Sequence, residues 1–253
     1  MQELYPIKTY CEKLDSIIGG FYPGELTLIC GEWEYGYEPV CSPFLFSLIR
    51  LITFGSGVAG ILYLGINEPW NFYNDVITST IGIQSSENSS SMNYKKNKDL
   101  EDFISKQIYD LPLVVRRKCS RWPDIIELCN EIKVYYKKKN IKIVYLDYNF
   151  FWISGDNCIE KHYFVIQKLK QLAQDLNIPI LINYLRQGIK VMNDEASIEI
   201  VKASSTIIDL SNRQYSGTSI FCQIPMRVLK THDGKLGTFN LMFNPGKVTF
   251  SKL

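Results

Sequence analysis

Histidine is almost missing from this chain, which has His162 and His232 and no others. Its seven cysteines are scattered from Cys11 to Cys222, with no C-x-x-C pair and no Cys/His cluster of zinc type, so no metal site is expected. Their number is odd, which argues against a disulfide framework and for buried thiols in a reducing cytoplasm. A dominant charge is lacking as well. Lysine and arginine total 28 against 26 acidic residues, a net of +2, so bulk charge demands neither nucleic acid nor an anionic membrane. Residues Met1 to Tyr10 hold no apolar signal core. The apolar stretch Pro39 to Ile66 is broken by Arg50 and Gly55-Ser56-Gly57, leaving each half short of the ~20 residues that cross a bilayer. A buried helix followed by a buried strand is expected there instead, with no membrane partner.

What the chain does have is material for a core. Hydrophobic residues make up 46% and charged residues 21% of 253, which suits one large soluble α/β domain over 1–253. Short apolar runs alternate with helical patterns. Strands are predicted at Leu26–Cys30, Ile61–Leu64, Leu113–Val115, Lys142–Leu146, Pro179–Ile182 and Thr206–Leu210. Helices are predicted up to about Phe54, over Trp70–Ile81, Leu100–Tyr109, Ser120 to about Lys139, and Glu160–Leu176. Continuous apolar strands alternating with helices imply a mostly parallel sheet covered on both faces. Toward the end, Phe221–Lys230, Thr238–Phe243 and Val248–Phe250 read as antiparallel strands turning at Asp233-Gly234. Gln84 to Lys98 is polar, Ser/Asn-rich and aperiodic, the composition of a disordered surface insertion.

A buried strand, a glycine-punctuated loop and a helix make the place where a phosphate loop sits. The pattern G-x-x-x-x-G-K-[ST] works because backbone N–H groups cradle phosphate, the lysine neutralises it and the hydroxyl holds magnesium. Here the segment is Gly31-Glu32-Trp33-Glu34-Tyr35-Gly36-Tyr37-Glu38. Gly31 and Gly36 keep the spacing, while Tyr37 stands at the lysine position and Glu38 at the hydroxyl position. Glu32, Glu34 and Glu38 bring negative charge to a site meant for a polyanion. Ser42-Pro43 makes a good helix start, displaced from Gly36. The loop reads as degenerate, with neither ATP nor magnesium expected as cofactor.

Lys13 to Leu26 (KLDSIIGGFYPGEL) resembles the entry to the motor domain of DnaB-type replicative helicases. Val144-Tyr145-Leu146-Asp147-Tyr148 resembles that family's Walker B strand, Leu169 to Pro179 its "LK-LA-ELNIP" segment, and Lys230 to Pro245 its "K-RNG-TG…F-P" end. The resemblance implies a RecA-like P-loop fold over nearly the whole chain. It puts the family's catalytic glutamate on or beside Asn67, with Glu68 adjacent, and a magnesium-linked aspartate on Asp147. The polar sensor falls on Tyr184 or Leu185. The lysine and arginine finger that enter a neighbouring subunit's site fall on Lys230 and His232. Losing the lysine, the hydroxyl, the arginine and a glutamine (Phe150 here) together does not suit phosphoryl transfer, which is mainly charge stabilisation and positioning.

Each of these residues has a plainer reading. Asp147 is equally a strand-end carboxylate bonded to loop N–H groups, and His232 an exposed turn residue beside Asp233-Gly234. The family's DNA loops correspond to Ser154–Ile159, with no basic residue, and to Arg186–Glu195, with Arg186 and Lys190 against Asp194 and Glu195. Arg116-Arg117-Lys118 with Arg121 form a second basic group suited to nucleic acid or a protein partner. The sequence begins at the motor segment, without the family's N-terminal domain and linker helix, so a stable homohexamer is not expected. A mixed ring with active relatives remains an alternative. The expected function is a non-catalytic scaffold that binds single-stranded DNA or a replication protein, in replication or mobile-element biology; the alternative is an ATP-dependent DNA helicase motor with an unorthodox site.

Overall fold

The computed structural model describes residues 5–32, 44, 47–49, 51–52, 60–65, 113–117, 125–147, 159–186, 195–210, 222–244 and 249–251. The predicted helices at 70–81 and 100–109 and the insertion at 84–98 lie outside these residues. Among them are four bounded helices, α1 (Glu12–Ile18), α2 (Ile125–Lys139), α3 (Ile159–Leu176) and α4 (Glu195–Ala203). The strands are β1 (Leu26–Glu32), β2 (Gly60–Gly65), β3 (Leu113–Arg117), β4 (Ile141–Asp147), β5 (Ile180–Arg186), β6 (Thr206–Asp209), β7 (Cys222–Lys230), β8 (Gly237–Asn244) and β9 (Thr249–Ser251).

The nine strands form one sheet in the order β3-β2-β4-β5-β1-β6-β7-β8-β9. The first six in that order are parallel, and β7, β8 and β9 continue the sheet antiparallel. This is the expected RecA-like plan: a mostly parallel sheet with an antiparallel extension. The connections from β3 to β4, β4 to β5 and β5 to β6 run the same way across the sheet, so right-handed crossovers place α2, α3 and α4 on one face. There they pack side by side, α3 between α2 and α4. Leu28, Cys30, Val144, Leu146, Ile180, Ile182 and Ile207 join Ile132, Ile166, Leu169 and Ile200 of these helices in one core. Residues alternate across a strand, yet Ile29, Tyr145, Leu181 and Ile208 on the other face are buried as well. The connection from β1 to β2 runs the opposite way, and its helical residues Phe44, Leu48 and Ile52 are buried.

Local chemistry sets the ends of these elements. The Asp15 carboxylate accepts the N–H groups of Thr9 and Tyr10 at 2.9 and 3.1 Å, fixing the chain into α1. Gly19, at φ 72°, ends α1 in the left-handed conformation that a side chain disfavours. In α2, Ile125, Leu128, Cys129 and Ile132 face the core, and Lys137, Lys138 and Lys139 meet the negative end of the helix dipole. Asn140, at φ 50°, then turns the chain straight into β4. Gly60 is required where β2 begins: a Cβ there would lie 2.3 Å from the Asn140 carbonyl oxygen. Among the described residues no helix is long and apolar enough to cross a membrane.

Candidate functional site

In an open α/β sheet, ligands bind outside the carboxyl ends of the strands, where neighbouring crossovers leave for opposite faces. Here that point is beside β1. Its own crossover leaves toward β2, while that of its neighbour β5 passes over β1 to β6. The predicted loop residue Gly31 is in fact still strand, aligned with Leu185, and β1 continues to Glu32, aligned with Arg186. The sequence reading ended this strand at Cys30. The two extra residues carry no apolar signal and are strand because the equally extended β5 pairs with them. Gly36, Tyr37 and Glu38 follow, outside the described residues.

Asp147 ends β4 and aligns with Asn183, the middle residue of β5, so β5 and β1 run three residues further than β4 does. Asn183 is buried at 2% exposure, and its Oδ1 has no hydrogen-bond partner among the described residues. Tyr145, two residues before Asp147 and thus on the same face, is fully buried, with a hydroxyl unpartnered among those residues. Burial pushes the pKa of that hydroxyl far above the ordinary tyrosine range. On the other side of β1, Cys30 aligns with Asp209 of β6, which is 1% exposed and bound by the Arg227 guanidinium from β7. The Arg227 Nε is likewise buried without a described partner. Asn183, Tyr145, Asp209 and Arg227 were not singled out from sequence. Only Asp209 left a trace there, as a carboxylate inside an apolar strand.

Arg116 and Arg117 also lie at this end, aligned with Leu64 and Gly65 on β2. They belong to strand β3, which the sequence reading ended at Val115; pairing with β2 extends it. Arg186 ends β5 three strands over, about 14 Å across the sheet at ~4.8 Å per strand and three residues further along it than Arg117, another ~10 Å. The backbone therefore puts Arg116 and Arg117 at the end of β3 and Arg186 at the end of β5, at different levels of the sheet. Asn67, Glu68, Lys118, Arg121 and Lys190 lie outside the described residues.

Lys230 and His232 are placed at the opposite end. Lys230 aligns with Ile207 near the start of β6, and His232 meets Glu25, just before β1. The seven residues of β1 separate the two ends by about 20 Å at ~3.3 Å per residue. Lys230 Nζ donates to the carbonyls of Val201 and Lys202 at 3.3 and 3.4 Å, satisfying the C-terminal turn of α4. His232 Nδ1 lies 2.5 Å from Glu25 Oε1, and its ring stacks on Tyr22 with centroids 4.9 Å apart and an interplanar angle of 14°. His232 is an exposed turn residue, as the plainer reading expected, but one engaged by two residues 207 and 210 positions earlier in the chain. That separation hid Glu25 and Tyr22 from sequence analysis.

The family model described as the DnaB-like helicase C-terminal domain matches residues 6–252. Among solved structures, the chain is similar to an ATPase domain, with a TM-score of 0.78 at 12% identity, over 99% of this chain and 92% of that one. It is similar also to a DnaB-like replicative helicase studied with its interactions with primase, with a TM-score of 0.76 at 14% identity. That match covers 98% of this chain and 62% of the helicase chain, so this chain spans less than two thirds of its length. At such identities the likeness is one of fold. No curated protein matches the sequence.

Proposed function

The chain belongs to the DnaB-like helicase C-terminal domain family, and we propose that it is a member without ATP binding or hydrolysis, acting as a DNA- or protein-binding scaffold in DNA replication or mobile-element functions. One observation carries this reading. Gly31 stands next to the end of the central strand beside the switch point, and the sequence after it has Tyr37 and Glu38 at the positions where the G-x-x-x-x-G-K-[ST] pattern has its lysine and hydroxyl. With Glu32 and Glu34 nearby in sequence, this donor set does not fit a magnesium nucleotide, and no hydrolytic step is drawn through one. The opposite end supports the same reading: the resemblance puts His232 in place of the arginine finger, and both it and Lys230 are bound within their own chain.

The residues offered for partner contact are Arg116, Arg117, Lys118, Arg121, Arg186 and Lys190, with single-stranded DNA or a replication protein as the partner. A primase is the first protein to test, given the primase interactions of the solved helicase. A ring mixed with active relatives is the assembly to look for. A second reading rests on Asp147, which the backbone does bring to the end of β4. It is an ATP-dependent DNA helicase motor in which Asp147, Glu68 and Lys230 survive and ATP with magnesium is the cofactor.

Titration of the purified chain with a fluorescent ATP analogue, with and without magnesium, separates the two. The scaffold reading expects no binding up to millimolar nucleotide, and none after Tyr37→Lys with Glu38→Thr. Magnesium-dependent binding by the parent chain, or ATPase activity recovered by those two substitutions, overturns it.

A further inference from the structure

The turn joining β7 to β8 is fastened to its own chain by a contact that one proton alters. Glu25 and Tyr22 reach it from the entry to β1: the carboxylate at 2.5 Å from Nδ1 and the phenol ring stacked on the imidazole. Nearby, Lys235 Nζ donates to the Ser16 carbonyl of α1. Thr231 is buried, and its hydroxyl lies 2.9 Å from Asp233 Oδ1 and 2.7 Å from the Lys235 carbonyl oxygen, its one proton donated to either, which holds the turn itself in shape. The His232 side chain is 57% exposed and that of Glu25 18%, so the imidazole exchanges protons with solvent while its partner is largely shielded.

We propose that His232 is a pH-sensitive clasp, holding the β7–β8 turn against the entry to β1 when protonated and loosening it when neutral. The protonated ring makes a charge-assisted bond to Glu25 and a cation–π contact with Tyr22; the neutral ring keeps only an ordinary hydrogen bond and a stack. Histidine is the side chain whose charge changes between about pH 5 and pH 8. The other charged groups of this surface are Asp233, Lys230 and Lys235 around the turn, and Lys170 of α3, which shares with Glu25 the lining of a cleft of about 360 Å³. Lys230 is occupied by the end of α4. The Lys235 N–H and the Thr231 hydroxyl hold the Asp233 carboxyl below its ordinary range, so it stays ionised across this window and adds no pH dependence of its own. The clasp stands apart from the nucleotide question, because its readout is local opening rather than ATP binding.

Amide hydrogen exchange of residues 231–237 in the full chain, compared at about pH 5.5 and about pH 8 after correction for intrinsic exchange, tests it. Opening should rise about two- to five-fold at the higher pH, the range set by a partly exposed ion pair. His232→Gln should abolish that rise, and Glu25→Gln, which leaves the ring on Tyr22, should reduce it, with exchange in α2 unchanged in both. Equal opening at both pH values in the parent chain overturns the proposal, as does a pH dependence that survives His232→Gln.

Discussion

At the amino ends of the parallel strands, bonds run between segments far apart in sequence. Ile180 N–H donates to Glu25 O, Ser205 N–H to Leu26 O and Gly24 N–H to Ile178 O, while Lys230 closes α4 and His232 holds Glu25. Inside the same sheet, the Tyr145 hydroxyl (level with Leu181 and Thr27), Asn183 Oδ1 (level with Ile29) and, on β7, Arg227 Nε are buried without partners among the described residues. An unsatisfied buried polar atom costs ~1–3 kcal/mol, and native proteins hold few of them. The amino ends are thus closed by bonds between distant segments, while the interior of the sheet holds buried polar atoms with no partner among the described residues.

Substitutions at the amino ends and inside the sheet should sharpen or break this contrast. The largest effect is expected for Gly60→Ala at the amino ends, where the new methyl meets backbone rather than a yielding side chain. A loss of about 3 kcal/mol, read from the urea midpoint, is the upper part of the overpacking range. Asp209→Ala inside the sheet should lose about 2 kcal/mol. That is below the usual cost of halving a buried pair, because the Arg227 side chain is 41% exposed and keeps part of its hydration.

Tyr145→Phe and Asn183→Leu should do the reverse of most core substitutions, leaving stability unchanged or raising it by up to about 1 kcal/mol. A clear loss in both would show these groups satisfied in solution and would erase the contrast. Tyr145 also has a pH signature. Its pKa is raised in the folded chain, so unfolded chains ionise first; its contribution is intact below the ordinary value of 10.0 and lost as pH rises beyond it. Tyr145→Phe should therefore blunt the alkaline fall in stability. Smallest is Lys230→Ala, which uncaps α4 and should lose about 0.5 kcal/mol in the same urea assay.

Most of the architecture was legible because buried parallel strands write themselves as apolar runs. Leu26–Cys30, Lys142–Leu146 and Pro179–Ile182 each fall on or inside an observed strand but for Pro179, which the strand excludes. Strand ends were not legible where pairing rather than hydrophobicity sets them: Gly31-Glu32 and Arg116-Arg117 are strand because a neighbour is. At the candidate site, the strand-end position of Asp147 was readable, since it follows an apolar run directly. The partners of His232 and Asp209 were not. A carboxylate 207 positions away, or an arginine on the next strand, leaves no periodic mark in sequence.

The place of β1 has a bearing on how the chain comes to be folded. It is synthesised first of the nine described strands, yet it pairs with β5 and β6, which begin 154 and 180 residues later. Until those arrive, the strand that will stand at the centre of the sheet has two open edges and an apolar face on each side. A growing chain carries this hazard until Ile180 has been added, and a chain cut short before it never loses it.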